Sequence, residues 1–117
     1  MRIFGYCAVT ADFLHIGHLN FLEACRKQCR HLTVGIMTDS CVEKYKKRKP
    51  IMNQEDRARL VMSLKCVDMV AFQDTFEFPD LPDFIIFDSE EHKRKGAEIF
   101  VPRMEGISST MLREAIN

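Results

Sequence analysis

Two histidines three residues apart, His15 and His18, with Gly17 between them, are the residues of this chain best suited to act on a substrate. They follow an apolar run over residues 3–10 and a short turn over 11–14, and they precede Leu19-Asn20-Phe21-Leu22-Glu23-Ala24-Cys25, which reads as helix. The pair therefore stands where a strand gives way to a helix. A helix start presents unbonded backbone N–H groups and the positive end of the dipole, so it attracts anions. The missing side chain at Gly17 lets a ligand approach the backbone, and two imidazoles add N–H donors. This is chemistry for handling phosphate. Zinc would need three or four ligands. The remaining histidines, His31 and His92, lack ligand-like spacing, so no metal site is expected of the chain itself. A histidine at a helix start is often only a cap, and a motif this short divides evenly between cap and ligand.

The elements that must hold the pair follow from periodicity. Residues 3–9 are near-continuously apolar, as in a central parallel strand covered on both faces. Residues 19–29 carry apolar side chains at helical spacing and end in Arg26, Lys27 and Arg30, which suit a helix C-terminus. Residues 32–38 read as a second strand, which completes a βαβ unit. The basic run in 39–50, with Lys44, Lys46, Lys47, Arg48 and Lys49, reads as a loop that Pro50 closes. Alone it would be a solvated loop. After a strand's carboxyl end it can close over a ligand. Asn53 caps a helix that begins with acids and continues through Arg57, Leu60, Val61 and Leu64. Residues 66–72, 83–88 and 98–102 read as further strands, and 108–116 as a last helix capped by Ser108 or Ser109. The expected fold is a single doubly wound, Rossmann-like α/β domain over residues 1–117, with about five parallel strands.

Composition excludes several classes. The 117 residues are 46% apolar and 29% charged, which is globular rather than disordered usage. Formal net charge is zero, so a general nucleic-acid binder is not expected. No apolar run approaches the ~18 residues of a membrane span, so no membrane insertion is expected. The apolar run at 3–9 is also short for a signal peptide. Five cysteines, an odd number with no C-x-x-C, suggest reduced thiols and a cytoplasmic location. Cys25 and Cys29 would share a helix face as small core residues.

A second stretch adds to the histidine pair: Pro102-Arg103-Met104-Glu105-Gly106-Ile107-Ser108-Ser109-Thr110, followed by Arg113. Together with Val9-Thr10-Ala11-Asp12-Phe13-Leu14-His15-Ile16-Gly17-His18 it resembles the nucleotidyltransferase superfamily. Within it, the resemblance is to the cytidylyltransferases typified by glycerol-3-phosphate cytidylyltransferase. It implies transfer of CMP from CTP to a small phosphate monoester, with release of pyrophosphate and with Mg²⁺ accompanying the nucleotide. His15 and His18 would be catalytic, with one of Lys44, Lys46 and Lys47, and Arg113. Val9, Thr10, Ala11, Asp12, Gly17, Arg57 and Asp88 would bind the nucleotide, as would Arg103, Glu105, Gly106, Ile107, Ser108, Ser109 and Thr110. Without the resemblance, Arg57 reads as an exposed helix arginine. Val67 and Asp68 match a segment at the family's dimer interface, so a homodimer is implied. Val9 and Phe87 stand where the family has glycines, Ala11 where it has an aromatic residue, and Met104 where it has threonine. Val9 would narrow the phosphate site and Phe87 would alter the base pocket. Two other readings stand beside this one. An adenylyltransferase using ATP shares the Ile-Ser-Ser-Thr segment, and Arg103 with Glu105-Gly106 points to cytidine instead. A degenerate, non-catalytic nucleotide-binding module would account for Val9 and Phe87.

Overall fold

Five short apolar runs pair in parallel as one sheet in the computed structural model, which describes residues 2–102. They are β1 (Phe4–Val9), β2 (His31–Met37), β3 (Met69–Gln73), β4 (Phe84–Ser89) and β5 (Ile99–Val101), in the order β3-β2-β1-β4-β5. Central strands of a parallel sheet are buried on both sides, which explains why β1 and β2 read as continuous apolar runs. Cys7 and Val9 of β1 pack with Leu32, Val34 and Ile36 of β2 on one face. Helices α1 (Ile16–Arg26) and α3 (Gln54–Met62) cover that face through Leu22, Cys25, Ala58 and Val61. Tyr6, Ala8 and Met37 point to the other face. There α2 (Asp39–Lys46) contributes Cys41 and Val42, and the irregular segment 74–83 contributes Phe78. The chain winds outward from β1 to β3 and then crosses back to β4. This places a topological switch point, where α/β sheets bind ligands, between the carboxyl ends of β1 and β4.

The elements depart from the sequence expectation in four places. The run 39–50 is not wholly a loop. Its first part is α2, because the Thr38 hydroxyl accepts the Cys41 N–H at 3.2 Å and Asp39 complements the dipole. Lys47, left-handed at φ 62°, ends that helix. Helix α1 begins at Ile16, two residues before His18. Strand β3 starts at Met69 rather than residue 66. Residues 66–68 instead finish the turn out of α3, where the Val67 N–H reaches the Leu64 carbonyl at 3.1 Å. Strand β5 has three residues. The expected helix over 108–116 lies outside the described residues. Val67 is buried, and the Asp68 carboxylate accepts the Leu32 N–H at 2.8 Å and pairs with Arg26 at 3.0 Å.

Arg57 is neither exposed on its helix nor among the residues that line the candidate site. It is 0% exposed. Its Nε donates to the Met52 carbonyl at 3.0 Å, and its Nη1 to the carbonyls of Thr10 and Met37, each at 2.8 Å. Its Nη2 pairs with Asp39 at 2.6 Å. One guanidinium thus joins the carboxyl ends of β1 and β2, the start of α2 and the approach to α3. Removing one partner from such a cluster leaves buried carbonyls unbonded, which costs far more than a surface contact. Arg57→Ala should lower unfolding free energy by about 3 kcal/mol or more in urea titrations. Arg57→Lys should recover little of it, because an ammonium lacks the planar fork.

Candidate active site

The histidine pair is held by the helix it starts. His15 is the N-cap of α1, with extended backbone at φ −143°. Its Nδ1 accepts the Gly17 N–H at 3.0 Å, and His18 Nδ1 accepts the His15 N–H at 3.2 Å. This is a capping box in which two imidazoles replace the usual Ser/Thr and Glu/Gln. The bonds choose the tautomers. A ring that accepts at Nδ1 carries its neutral-state proton on Nε2, so each becomes an Nε2–H donor. The ring centroids are 4.2 Å apart. Burial, then the neighbouring charges of His15 and Lys46, press the His18 pKa down to about 4. His18 is therefore a neutral donor at ordinary pH.

The turn between β1 and α1 is strained. Ala11 has φ 56° and Phe13 φ 149°, both uncommon for residues with a Cβ. Ala11 is buried in the core against α1. The Asp12 carboxylate accepts the N–H groups of Ile51 and Met52, each at 2.9 Å, and Arg57 grips the Thr10 carbonyl. Two of the residues that the resemblance assigned to nucleotide, Asp12 and Arg57, thus brace the turn that carries the histidines.

A cavity of about 330 Å³ opens at the switch point. His15, Gly17 and His18 line it from α1, Val9 and Thr10 from β1, Lys46 from α2, and Asp88 and Ser89 from β4. Of the three lysines singled out in the sequence, Lys46 lines this cavity, whereas Lys44 and Lys47 do not. The Thr10 hydroxyl lies 2.9 Å from that of Tyr45, which ties β1 to α2 at the rim. Phe87 does not enter the base pocket as expected. Strand alternation turns it to the α1 face, where it is fully buried against Gly5. Val9 packs mainly in that same core and reaches the cavity edge.

Asp88, which the resemblance assigned to the nucleotide, is bonded within the chain. Arg94 Nη2 and Nε donate to its two oxygens at 2.8 and 3.1 Å, and the backbone N–H groups of Ser89 and Arg94 add bonds at 2.8 and 2.7 Å. Burial would raise this carboxyl, but the Arg94 and Ser89 donors outweigh it and hold it below the usual carboxylate range. Arg94 also donates to the Ala8 carbonyl at 3.0 Å and lies over the rings of Phe78 and Phe76, 4.7 and 5.3 Å from their centroids. Sequence reading missed Arg94, Ser89, His92 and Phe76. Ser89 ends β4 and the others sit in connections without periodicity, and only the preceding Asp88 hinted at Ser89, His92 and Arg94. Arg103, Glu105, Gly106, Ile107, Ser108, Ser109, Thr110 and Arg113 lie outside the described residues.

Among the described residues no three His, Cys, Asp or Glu side chains are grouped to hold a metal, and the Asp88 carboxylate is taken up by Arg94 and the Ser89 N–H. No helix among the described residues is long and apolar enough to cross a membrane.

Comparison with known proteins places this geometry. The model of the cytidylyltransferase-like family matches residues 6–101. The chain is 45% identical over 60 residues to the bifunctional protein HldE of Aliarcobacter butzleri (strain RM4018), a match covering 50% of this chain and 13% of that protein. It is 39% identical over 67 residues to the bifunctional protein HldE of Magnetococcus marinus, covering 55% of this chain and 14% of that one. The matched part is thus about a seventh of those relatives. The crystal structure of the lipopolysaccharide core biosynthesis protein from Thermoplasma volcanium GSS1 superposes with a TM-score of 0.69 at 22% identity, covering 91% of this chain and 98% of that one. At that identity the likeness is one of fold.

The depressed His18 pKa has a consequence for stability. Between about pH 6.5 and about 4 the unfolded chain binds a proton at His18 that the folded chain refuses. Stability contributed here is complete above pH 6.5 and is lost as pH falls toward 4. His18→Asn keeps an acceptor for the His15 N–H and cannot titrate. Its unfolding free energy, measured across this window, should fall less steeply with acid than that of wild type.

Proposed function

Because the chain belongs to the cytidylyltransferase-like family, we propose that it transfers CMP from CTP to a small phosphate monoester and releases pyrophosphate. The carrying observation is the reciprocally capped His15–His18 pair at the start of α1, opening into the cavity between β1 and β4. An oxygen of the acceptor phosphate attacks the α-phosphorus, and the bond from that phosphorus to the bridging oxygen of pyrophosphate breaks. No covalent enzyme intermediate is needed, so positioning and charge stabilisation do most of the catalysis. The α1 N-terminus and the Nε2–H donors of His15 and His18 meet the charge that develops on the α-phosphate. Such a donor is typically worth roughly 3–4 kcal/mol in the transition state. His18, held neutral by burial, can donate without first taking a proton from solvent. Lys46 neutralises the outer phosphates, and magnesium arrives with the triphosphate, which supplies most of its ligands besides water.

The cytidine assignment rests on Arg103 with Glu105 and Gly106, and the phosphate contacts of Ser108, Ser109, Thr110 and Arg113 belong to the same reading. Here Ser108 to Thr110 offer hydroxyl and backbone donors, and Arg113 a bidentate contact. The working unit is read as a homodimer. The exposed side chains of Met69 and Phe72, on the free edge of β3 beside residues 67–68, support this.

Calorimetry with CTP and ATP, each with Mg²⁺, tests the donor. Wild type should bind CTP more tightly than ATP, and His18→Ala should weaken binding at least tenfold. Preference for ATP would overturn the cytidine assignment, and binding of neither would overturn the transferase reading. Light scattering should give twice the chain mass; a monomer would remove the dimer from the proposal.

A further inference from the structure

The β4 side of the cavity holds a third imidazole in much the same way as the α1 side holds its pair. Ser89 Oγ accepts the His92 N–H at 3.2 Å and lies 3.0 Å from His92 Nδ1. Because the hydroxyl oxygen already accepts the backbone N–H, its own proton is available to Nδ1. With the hydroxyl donating to Nδ1, the ring's proton sits on Nε2. Phe76 meets the ring edge-on, with centroids 6.5 Å apart and planes at 83°. Among the described residues Nε2 has no hydrogen-bond partner, and His92 lines the same cavity as His18 and Lys46. The capping-box histidines and this pair thus follow one plan. A local bond to a backbone N–H fixes the turn, Nδ1 is tied down, and an Nε2–H is left as the ring's outward donor.

We propose that His92, held by Ser89, binds the phosphate of the acceptor monoester. This rests on the nucleotidyl-transfer reading given above. In-line displacement needs the attacking and leaving oxygens on opposite sides of the α-phosphorus. The α1 N-terminus with His15 and His18 serves the triphosphate from the β1 side, and His92 serves the incoming phosphate from the β4 side. The charges nearby suit an anion: Lys46 lines the same cavity, and Arg94 has already neutralised Asp88. Glu91, which also lines the cavity, suits hydroxyl groups on the ester rather than its phosphate. His92 is a binding residue in this scheme and Ser89 a positioning residue.

The test uses the full chain saturated with α,β-methylene CTP and Mg²⁺, titrated with glycerol 3-phosphate. Binding is followed by calorimetry and by the imidazole nitrogen resonances of His92. Wild type should bind with a shift at His92 Nε2. His92→Ala, an exposed substitution that should leave folding intact, should weaken the monoester roughly ten- to a hundredfold and leave the affinity for the CTP analogue unchanged. Ser89→Ala should cause part of that loss, and Ser89→Thr, which keeps the hydroxyl, should restore it. Unchanged monoester affinity in His92→Ala would overturn the proposal, as would loss of CTP-analogue affinity with the monoester unaffected. A parallel titration of nucleotide-free protein with inorganic phosphate separates the two readings. If wild type binds no nucleotide yet phosphate still shifts His92 Nε2 and is lost in His92→Ala, the transferase reading falls and the anion site stands. If phosphate moves nothing at His92, the anion site falls.

Discussion

The carboxyl edge of the sheet depends on one buried guanidinium. Strand ends leave carbonyls to which no neighbouring strand donates, and burying them unbonded is costly. Arg57 answers for those of Thr10 and Met37 and is anchored in turn by Asp39 and the Met52 carbonyl. An arginine can do this because its donors lie in one rigid plane. On the other face Arg94 plays a matching part. It takes the Ala8 carbonyl, pairs with Asp88 and stacks on Phe76 and Phe78. The ends of β1, β2 and β4 are thereby held from both sides, and the cavity between β1 and β4 has a rigid floor.

That rigidity permits strain in the turn. Ala11 and Phe13 hold positive φ angles that cost energy in a free chain. Asp12 and Arg57 brace the turn through three bonds, two to the Asp12 carboxylate and one to the Thr10 carbonyl. The path delivers His15 to the cap of α1, where backbone N–H groups orient both rings. Burial beside another imidazole and Lys46 then keeps His18 neutral. Donor direction and protonation state therefore exist before any ligand arrives, which is the preorganisation that charge-stabilising sites require.

The second face of the sheet is covered economically. Where a helix would ordinarily lie between β3 and β4, residues 74–83 run irregularly, and Phe78 fills the space over Tyr6 and Ile86. Residues 90–98 likewise return without a helix and carry His92 and Arg94 into the cavity wall. Gly35 serves this face too. A side chain there would collide with Tyr6, whose hydroxyl crosses β2 to donate to Gln73 on β3 at 2.6 Å. The same short connections that close the core therefore supply the β4 wall of the site.

Local chemistry made much of this legible. Apolar runs marked the strands, Asn53 marked the start of α3, and a histidine pair after a strand marked one wall of the cavity, because each signal acts over a few neighbouring residues. The helical character of 39–46 was hidden because its Thr38 cap stood at the end of a strand, and the lysines dominated the reading. The roles of Arg57, Asp12, Asp88 and Phe87 could not be read in the same way. Strand pairing brings Arg57 to Thr10 and Met37 across separations of 47 and 20 residues, and nothing in an arginine's immediate sequence says which carbonyls will lie unbonded beside it. Phe87 and Asp88 are adjacent, yet the pleat sends one into the core and the other toward the cavity. Element type follows from nearest neighbours along the chain. Which polar residues face a ligand and which hold the frame follows from long-range contacts, because buried polar groups must find partners wherever the fold puts them.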